Sequence, residues 1–99
     1  TWVPDGYYAW ADDKSIAWKW VDGVDVDCYD CTYWTVEVIS KYGCSDGVYG
    51  EINLERNGVV VGYANDTLNY LGPFQAGRMT FIEYPYSSLT GNLTELNCR

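Results

Sequence analysis

The stretch that decides the fold runs from Val48 to Tyr63: V-Y-G-E-I-N-L-E over Val48–Glu55, then Arg56, Asn57-Gly58, and V-V-V-G-Y over Val59–Tyr63. Val48, Ile52 and Leu54 share one side of an extended chain across Gly50, while Glu51, Asn53 and Glu55 take the other. That period-two pattern belongs to a strand with one face buried and one face wet. Asn-Gly between two such runs is the strongest short-range hairpin signal, because both residues tolerate the positive φ of a type I′ turn. The return strand is therefore expected at Val59–Tyr63.

Upstream, Ser15–Val21 (S-I-A-W-K-W-V) alternates with Ile16, Trp18 and Trp20 on one face. Tyr33–Ser40 (Y-W-T-V-E-V-I-S) sets Trp34, Val36 and Val38 against Thr35 and Glu37, the mark of a half-buried antiparallel strand. Between them Asp22–Asp30 carries carboxylates too dense for a ladder and reads as a loop. Lys41–Gly47 turns the chain with Cys44 inside it. Downstream, Asn65–Gly77 reads as a long crossing connection with Leu68 and Leu71 tucked beneath it. Arg78–Tyr84 is a strand ended by Pro85, and Leu93–Cys98 is the last. Six strands about a dozen residues apart, with no helical periodicity, specify an all-β sandwich or barrel. A chain of 99 residues has room for one core, so residues 1–99 are expected to form a single domain.

The net charge is −8 and there is no histidine. An excess of carboxylates argues against nucleic acid, where lysine and arginine must displace counterions from phosphates, and against anionic membrane surfaces. No run is long and apolar enough to span a bilayer, so direct membrane insertion is not expected. Thr1, Trp2, Val3 and Pro4 lack the basic and apolar regions of a signal peptide, and the chain reads as a trimmed mature region or an excised domain.

Cys28, Cys31, Cys44 and Cys98 form an even set, which in a short exported chain is a disulfide framework with three possible connectivities. A zinc site would use the Cys28/Cys31 pair with a second tight knuckle, but Cys44 and Cys98 are far apart. A thioredoxin-like role would want Cys28 at the start of a helix, and no helical period follows. The compartment implied is extracellular or the cell surface.

The order of Ile52-x-Leu54, Asn57-Gly58-x-Val60-Val61-Gly62, Leu71-x-Pro73, Gly77 and Phe81 resembles the FxLYD-type domains of secreted bacterial proteins. Trp18-Lys-Trp20, Cys31-x-x-Trp34, Gly43-Cys44, Asn65-Asp66 and Leu96-Asn-Cys98 look like small cysteine-bearing extracellular proteins of actinobacteria. Ile52 stands where the family has phenylalanine, and Glu55-Arg56 stand where Tyr-Asp would be. The resemblance implies an immunoglobulin-like antiparallel β-sandwich of six to seven strands, an accessory part of an envelope protein, with no catalytic site to carry over. Regular alternation of strands brings the end of the second and the end of the last to one edge. Cys44 is accordingly expected to pair with Cys98, and Cys28 with Cys31 inside one loop.

Without histidine, serine–histidine and cysteine–histidine nucleophiles are absent. Carboxylate pairs such as Glu51 with Glu55, or Asp12 with Asp13, are of the kind a glycosidase uses, yet strand alternation places Glu51 and Glu55 on a solvated face, and no catalytic residue is assigned. Asp22, Asp25, Asp27 and Asp30 offer hard oxygens for calcium but lack the EF-hand order, and no metal or other cofactor is assigned. Asn65-Asp-Thr67 and Asn92-Leu-Thr94 match the glycosylation pattern and are read as turn and strand residues. Trp18, Trp20 and Trp34 alternate as core residues, whereas Trp2, Tyr7, Tyr8 and Trp10 lie in a weakly periodic segment where flat rings can face a ligand. The expected function is noncatalytic protein–protein contact or structural spacing outside the cytoplasm, with carbohydrate binding by exposed Trp and Tyr as the alternative. The partner is accordingly a protein or a glycan.

Overall fold

The computed structural model describes residues 2–99. The chain forms an antiparallel β-sandwich of seven strands: β1 (Tyr8–Ala9), β2 (Ile16–Val21), β3 (Thr32–Ser40), β4 (Val48–Arg56), β5 (Val59–Leu68), β6 (Ala76–Glu83) and β7 (Thr90–Cys98). No helix forms among the described residues, and none is therefore long and apolar enough to cross a membrane. One sheet has the order β1-β2-β3-β6 and the other β5-β4-β7. The seven-strand, two-layer architecture is that of immunoglobulin-like sandwiches, with a strand order of its own.

The alternating positions build the core as their pattern requires. Ile16, Val36, Val38, Met79 and Phe81 from the four-stranded sheet meet Val48, Ile52, Leu54, Ala64 and Leu96 from the three-stranded one. The β4–β5 hairpin turns at Asn57 (φ 54°) and Gly58 (φ 79°), both in the left-handed region that a type I′ turn needs. Leu71 and Cys44 close one end of the core, bridged by backbone hydrogen bonds in both directions. The Cys44–Cys98 disulfide then ties the β3–β4 turn to the end of β7, and Cys28–Cys31 staples the loop before β3.

Several boundaries differ from the sequence reading. β5 runs on to Leu68, so the connection expected from Asn65 begins only after Leu68. Asn65 and Asp66 are poor strand formers, yet β4 supplies partners for both, and tertiary pairing overrides propensity. β7 starts at Thr90 rather than Leu93, and β6 spans Ala76–Glu83 rather than Arg78–Tyr84. β1, a two-residue strand on β2, has too little sequence to show a period.

Every sheet edge is blunted. Val61 is an extra residue in β5 between the Leu54–Gly62 and Glu55–Val60 pairs. Thr94 is another in β7 between Glu51–Glu95 and Ile52–Leu93, and such bulges bend an edge away from foreign strands. β1 is too short to template pairing. At the edge of β6, the inward-pointing Asp66 of β5 accepts the backbone N–H of Thr80 at 2.9 Å. The sheets thus close on one another along β5 and β6. Toward β2 and β7 they part, and Trp10, Trp18, Trp34, Leu89 and Leu93 pack against the core there.

Candidate functional site

The parted side of the sandwich holds a cleft of about 400 Å³, lined by Trp20 and Asp22 at the end of β2, Tyr33 and Trp34 at the start of β3, and Leu89 and Thr90 leading into β7. Its position follows from the sheets: the four-stranded layer is one strand wider than its partner, so the inner face of β1 and β2 continues past β7. Trp20 was expected in the core with Trp18 and Trp34. It shares their face, but nothing of the narrower sheet covers the end of β2, and it stays 37% exposed. Tyr33, on the opposite parity, is 39% exposed.

Two loops hold the cleft's shape. In the first, the Tyr33 hydroxyl donates to Val24 O at 2.8 Å, fastening Asp22–Val24 against β3 beside the Cys28–Cys31 bond. In the second, Thr32 Oγ1 donates to Ser87 O at 2.9 Å and accepts from Ser87 N at 3.1 Å. Asp30 Oδ1 accepts from Tyr86 N at 3.3 Å, joining the second loop to the first. Beneath, Gly91 lets the edge of the Trp34 indole lie on the backbone of β7: a Cβ there would stand 3.0 Å from Trp34 Nε1. Tied rims of this kind keep a binding surface ordered before ligand arrives, which lowers the entropy cost of binding.

The candidate aromatics of the N-terminal segment are distributed among several tasks. Trp2 donates its Nε1 to Lys14 O at 2.9 Å and meets Phe74 edge to face. Trp10 packs partly buried against the core. Tyr8 is exposed and leans on Trp18 with ring centroids 5.7 Å apart. Tyr7 reaches over the outer face of the four-stranded sheet and donates to Glu37 Oε2, with Lys19 Nζ 4.7 Å above its ring. Arg78 Nε binds the other oxygen of Glu37 at 2.9 Å, and Lys19 Nζ lies 3.8 Å away. Glu37 is therefore part of a closed polar cluster rather than a free wet side chain. The Tyr7 hydroxyl and then Arg78 hold its carboxyl below the usual range. Burial, followed by the Glu37 bond, pushes the Tyr7 hydroxyl up to about 12.

The four loop aspartates do not converge. Asp22 lines the cleft, Asp25 and Asp27 face solvent, and Asp30 is spent on Tyr86. Among the described residues no three carboxylate or cysteine side chains are grouped to hold a metal. On the outer face of the three-stranded sheet, Glu51 accepts from Tyr49 at 2.7 Å and Glu55 accepts from Asn92. Asp13 is occupied by the backbone N–H and hydroxyl of Ser15.

Sequence reading thus missed Trp20, Tyr33 and Asp22 as a group. Trp20 and Tyr33 sit on opposite parities of adjacent strands: the inequality of the two sheets exposes Trp20 on the inner face, while Tyr33 lies on the uncovered outer face. A tryptophan at the last inward position of a strand beside an acidic loop was the available signal. The chain matches no protein-family model, no curated protein and no solved structure.

Proposed function

We propose that the protein is a noncatalytic recognition domain working outside the cytoplasm, and that it binds carbohydrate in the Trp20–Trp34 cleft. The observation that carries this reading is the composition of that cleft: two indoles and a phenol ring, 37% and 39% exposed at Trp20 and Tyr33, beside Asp22 and Thr90. Aromatic faces take up the apolar faces of sugar rings, while carboxylate and hydroxyl groups accept and donate to sugar hydroxyls. Two disulfides fit an oxidising compartment. The resemblance to FxLYD-type domains agrees with a place at a bacterial envelope.

Titrating glycans against intrinsic tryptophan fluorescence tests the proposal. A ligand should shift the emission of the native protein, and Trp20→Ala should lose that shift while keeping the fold. Silence across a broad glycan array would remove the reading.

Protein–protein contact, or a spacer role, is the second reading. It is favoured by one observation, the exposed run Val59, Val60, Val61 and Tyr63 on β5, because consecutive apolar side chains on a soluble surface are unusual without a partner. Val60→Lys would abolish capture of such a partner and leave glycan binding intact.

A further inference from the structure

Beyond the cleft, the aromatic surface continues. Trp20 meets Trp18 with ring centroids 5.6 Å apart and planes at 87°, and Trp18 meets Tyr8 at 5.7 Å and 47°. The pairing register sets Tyr8 opposite Trp18, and Trp18 and Trp20 opposite Val38 and Val36, so all three rings belong to the inward face of their sheet. They lie on its two outermost strands, where the narrower sheet ends. The core explains Trp18, which packs against it, but not Tyr8, which is 63% exposed at the end of the row.

Resting on the glycan reading above, we infer that the ligand is an extended neutral oligosaccharide chain that leaves the cleft at Trp20 and runs along Trp18 to Tyr8. Two near-equal steps between ring centres are comparable with the advance of one pyranose unit along a chain. The changing ring planes suit a chain that twists from unit to unit. A ligand that filled the cleft alone, such as a single terminal sugar, would leave the exposed ring of Tyr8 without a role.

Charge selects among such chains. The chain carries −8 overall, Asp22 stands in the cleft, and Asp25 and Asp27 lie exposed in the same loop. That field repels uronate-, sialate- or sulfate-bearing glycans, while the carboxylate of Asp22 accepts hydrogen bonds from neutral hydroxyls.

The test is a length series of neutral linear oligosaccharides, β-glucan, chitin, xylan and mannan fragments from monomer to hexamer, titrated by tryptophan fluorescence and calorimetry. Affinity should climb with each added unit until the row is filled, then level off. Tyr8→Ser should lower the affinity of the longer fragments by about three- to tenfold, the worth of one aromatic contact, and leave the shortest binder unchanged. An unaltered melting curve for Tyr8→Ser excludes misfolding, and if it does not fold, Tyr8→Leu repeats the comparison. Affinity independent of length, or equal in Tyr8→Ser and wild type at every length, overturns the extended track and leaves the cleft reading standing. No binding at any length overturns both. Preference for acidic fragments over neutral ones of equal length overturns the charge assignment and with it the neutral chain.

Discussion

Asp66 Oδ2 accepts the backbone N–H of Thr80 at 2.9 Å, so a side chain from the edge of one sheet satisfies a main-chain donor at the edge of the other. The bond adds a polar tie between layers packed through apolar side chains, and it removes a free donor from the exposed edge of β6. Replacing Asp66 by alanine leaves that N–H without its partner in a partly buried position. The expected loss is about 1–3 kcal/mol, with Asp66→Asn, which keeps an acceptor oxygen, losing less. Urea unfolding of the two variants checks this, and equal stabilities for alanine and asparagine would show that the bond contributes nothing.

The Cys44–Cys98 disulfide spans 54 residues and joins a buried cysteine in the β3–β4 turn to the last residue of β7. In the chain-entropy account, a loop that long restricts the unfolded chain by about 4 kcal/mol. The double variant Cys44→Ser/Cys98→Ser should melt more than about 15 °C below the parent in calorimetry. Cys28→Ser/Cys31→Ser removes a bond that spans a separation of only 3 and should cost far less stability. It should instead loosen Asp22–Val24 and weaken ligand binding. If the short-loop variant proved the less stable of the two, the assignment of roles would be reversed.

The two pairings were legible in the sequence for unequal reasons. Cys28 and Cys31 can hardly avoid each other inside one loop. Cys44 and Cys98 follow from counting strand directions, and the count survived an unseen β1 because that strand precedes both. Core strands were legible because Val36, Val38, Ile52 and Leu54 obey a strict period against polar neighbours. The cleft was not, since its exposure depends on the relative widths of two sheets. Trp18 and Trp20 have the same parity and the same residue type, yet Trp18 packs against the core whereas Trp20 is a wall of the site. The polar cluster on Glu37 was equally hidden, for it joins Tyr7 to a residue 30 positions away.

That cluster gives the fold a response to pH at both ends of the scale. The Glu37 carboxyl titrates below its ordinary 4.5 in the folded protein, so the unfolded chain takes up the proton first. Stability from this group is complete above about that value and falls as the pH drops through the folded pKa. For Tyr7 the sign is opposite. Its hydroxyl titrates at about 12 when folded against 10.0 otherwise, so the unfolded chain loses the proton first. The contribution is complete below pH 10.0 and is lost as the pH rises toward about 12. Tyr7→Phe should cost about 1.5–3 kcal/mol near neutrality, where one hydrogen bond to a charged group is lost. It should also flatten the alkaline limb and shift the acid limb upward. Denaturant unfolding followed across the pH range decides the matter, and an alkaline limb unchanged in Tyr7→Phe would assign it to other tyrosines.

Gly91, in the lining of the cleft, offers a way to disturb it without changing a ring or a carboxylate. A methyl group there would stand 3.0 Å from Trp34 Nε1 and 3.1 Å from Ile52 Cδ1. Ile52 is fully buried between the sheets and has nowhere to go, whereas Trp34 borders open space. Gly91→Ala should therefore be relieved by a shift of the indole into the cleft, at about 1–3 kcal/mol, the usual cost of overfilling a packed site. Ligand affinity should fall in parallel with a change in tryptophan emission. Shrinking the ring tells the two effects apart. Gly91→Ala/Trp34→Phe should recover part of the lost stability, because the smaller ring yields to the methyl group, but not the affinity, because the indole face is gone. Recovery of affinity together with stability would mean that Trp34 merely fills space and that the ligand rests on Trp20 and Tyr33 alone.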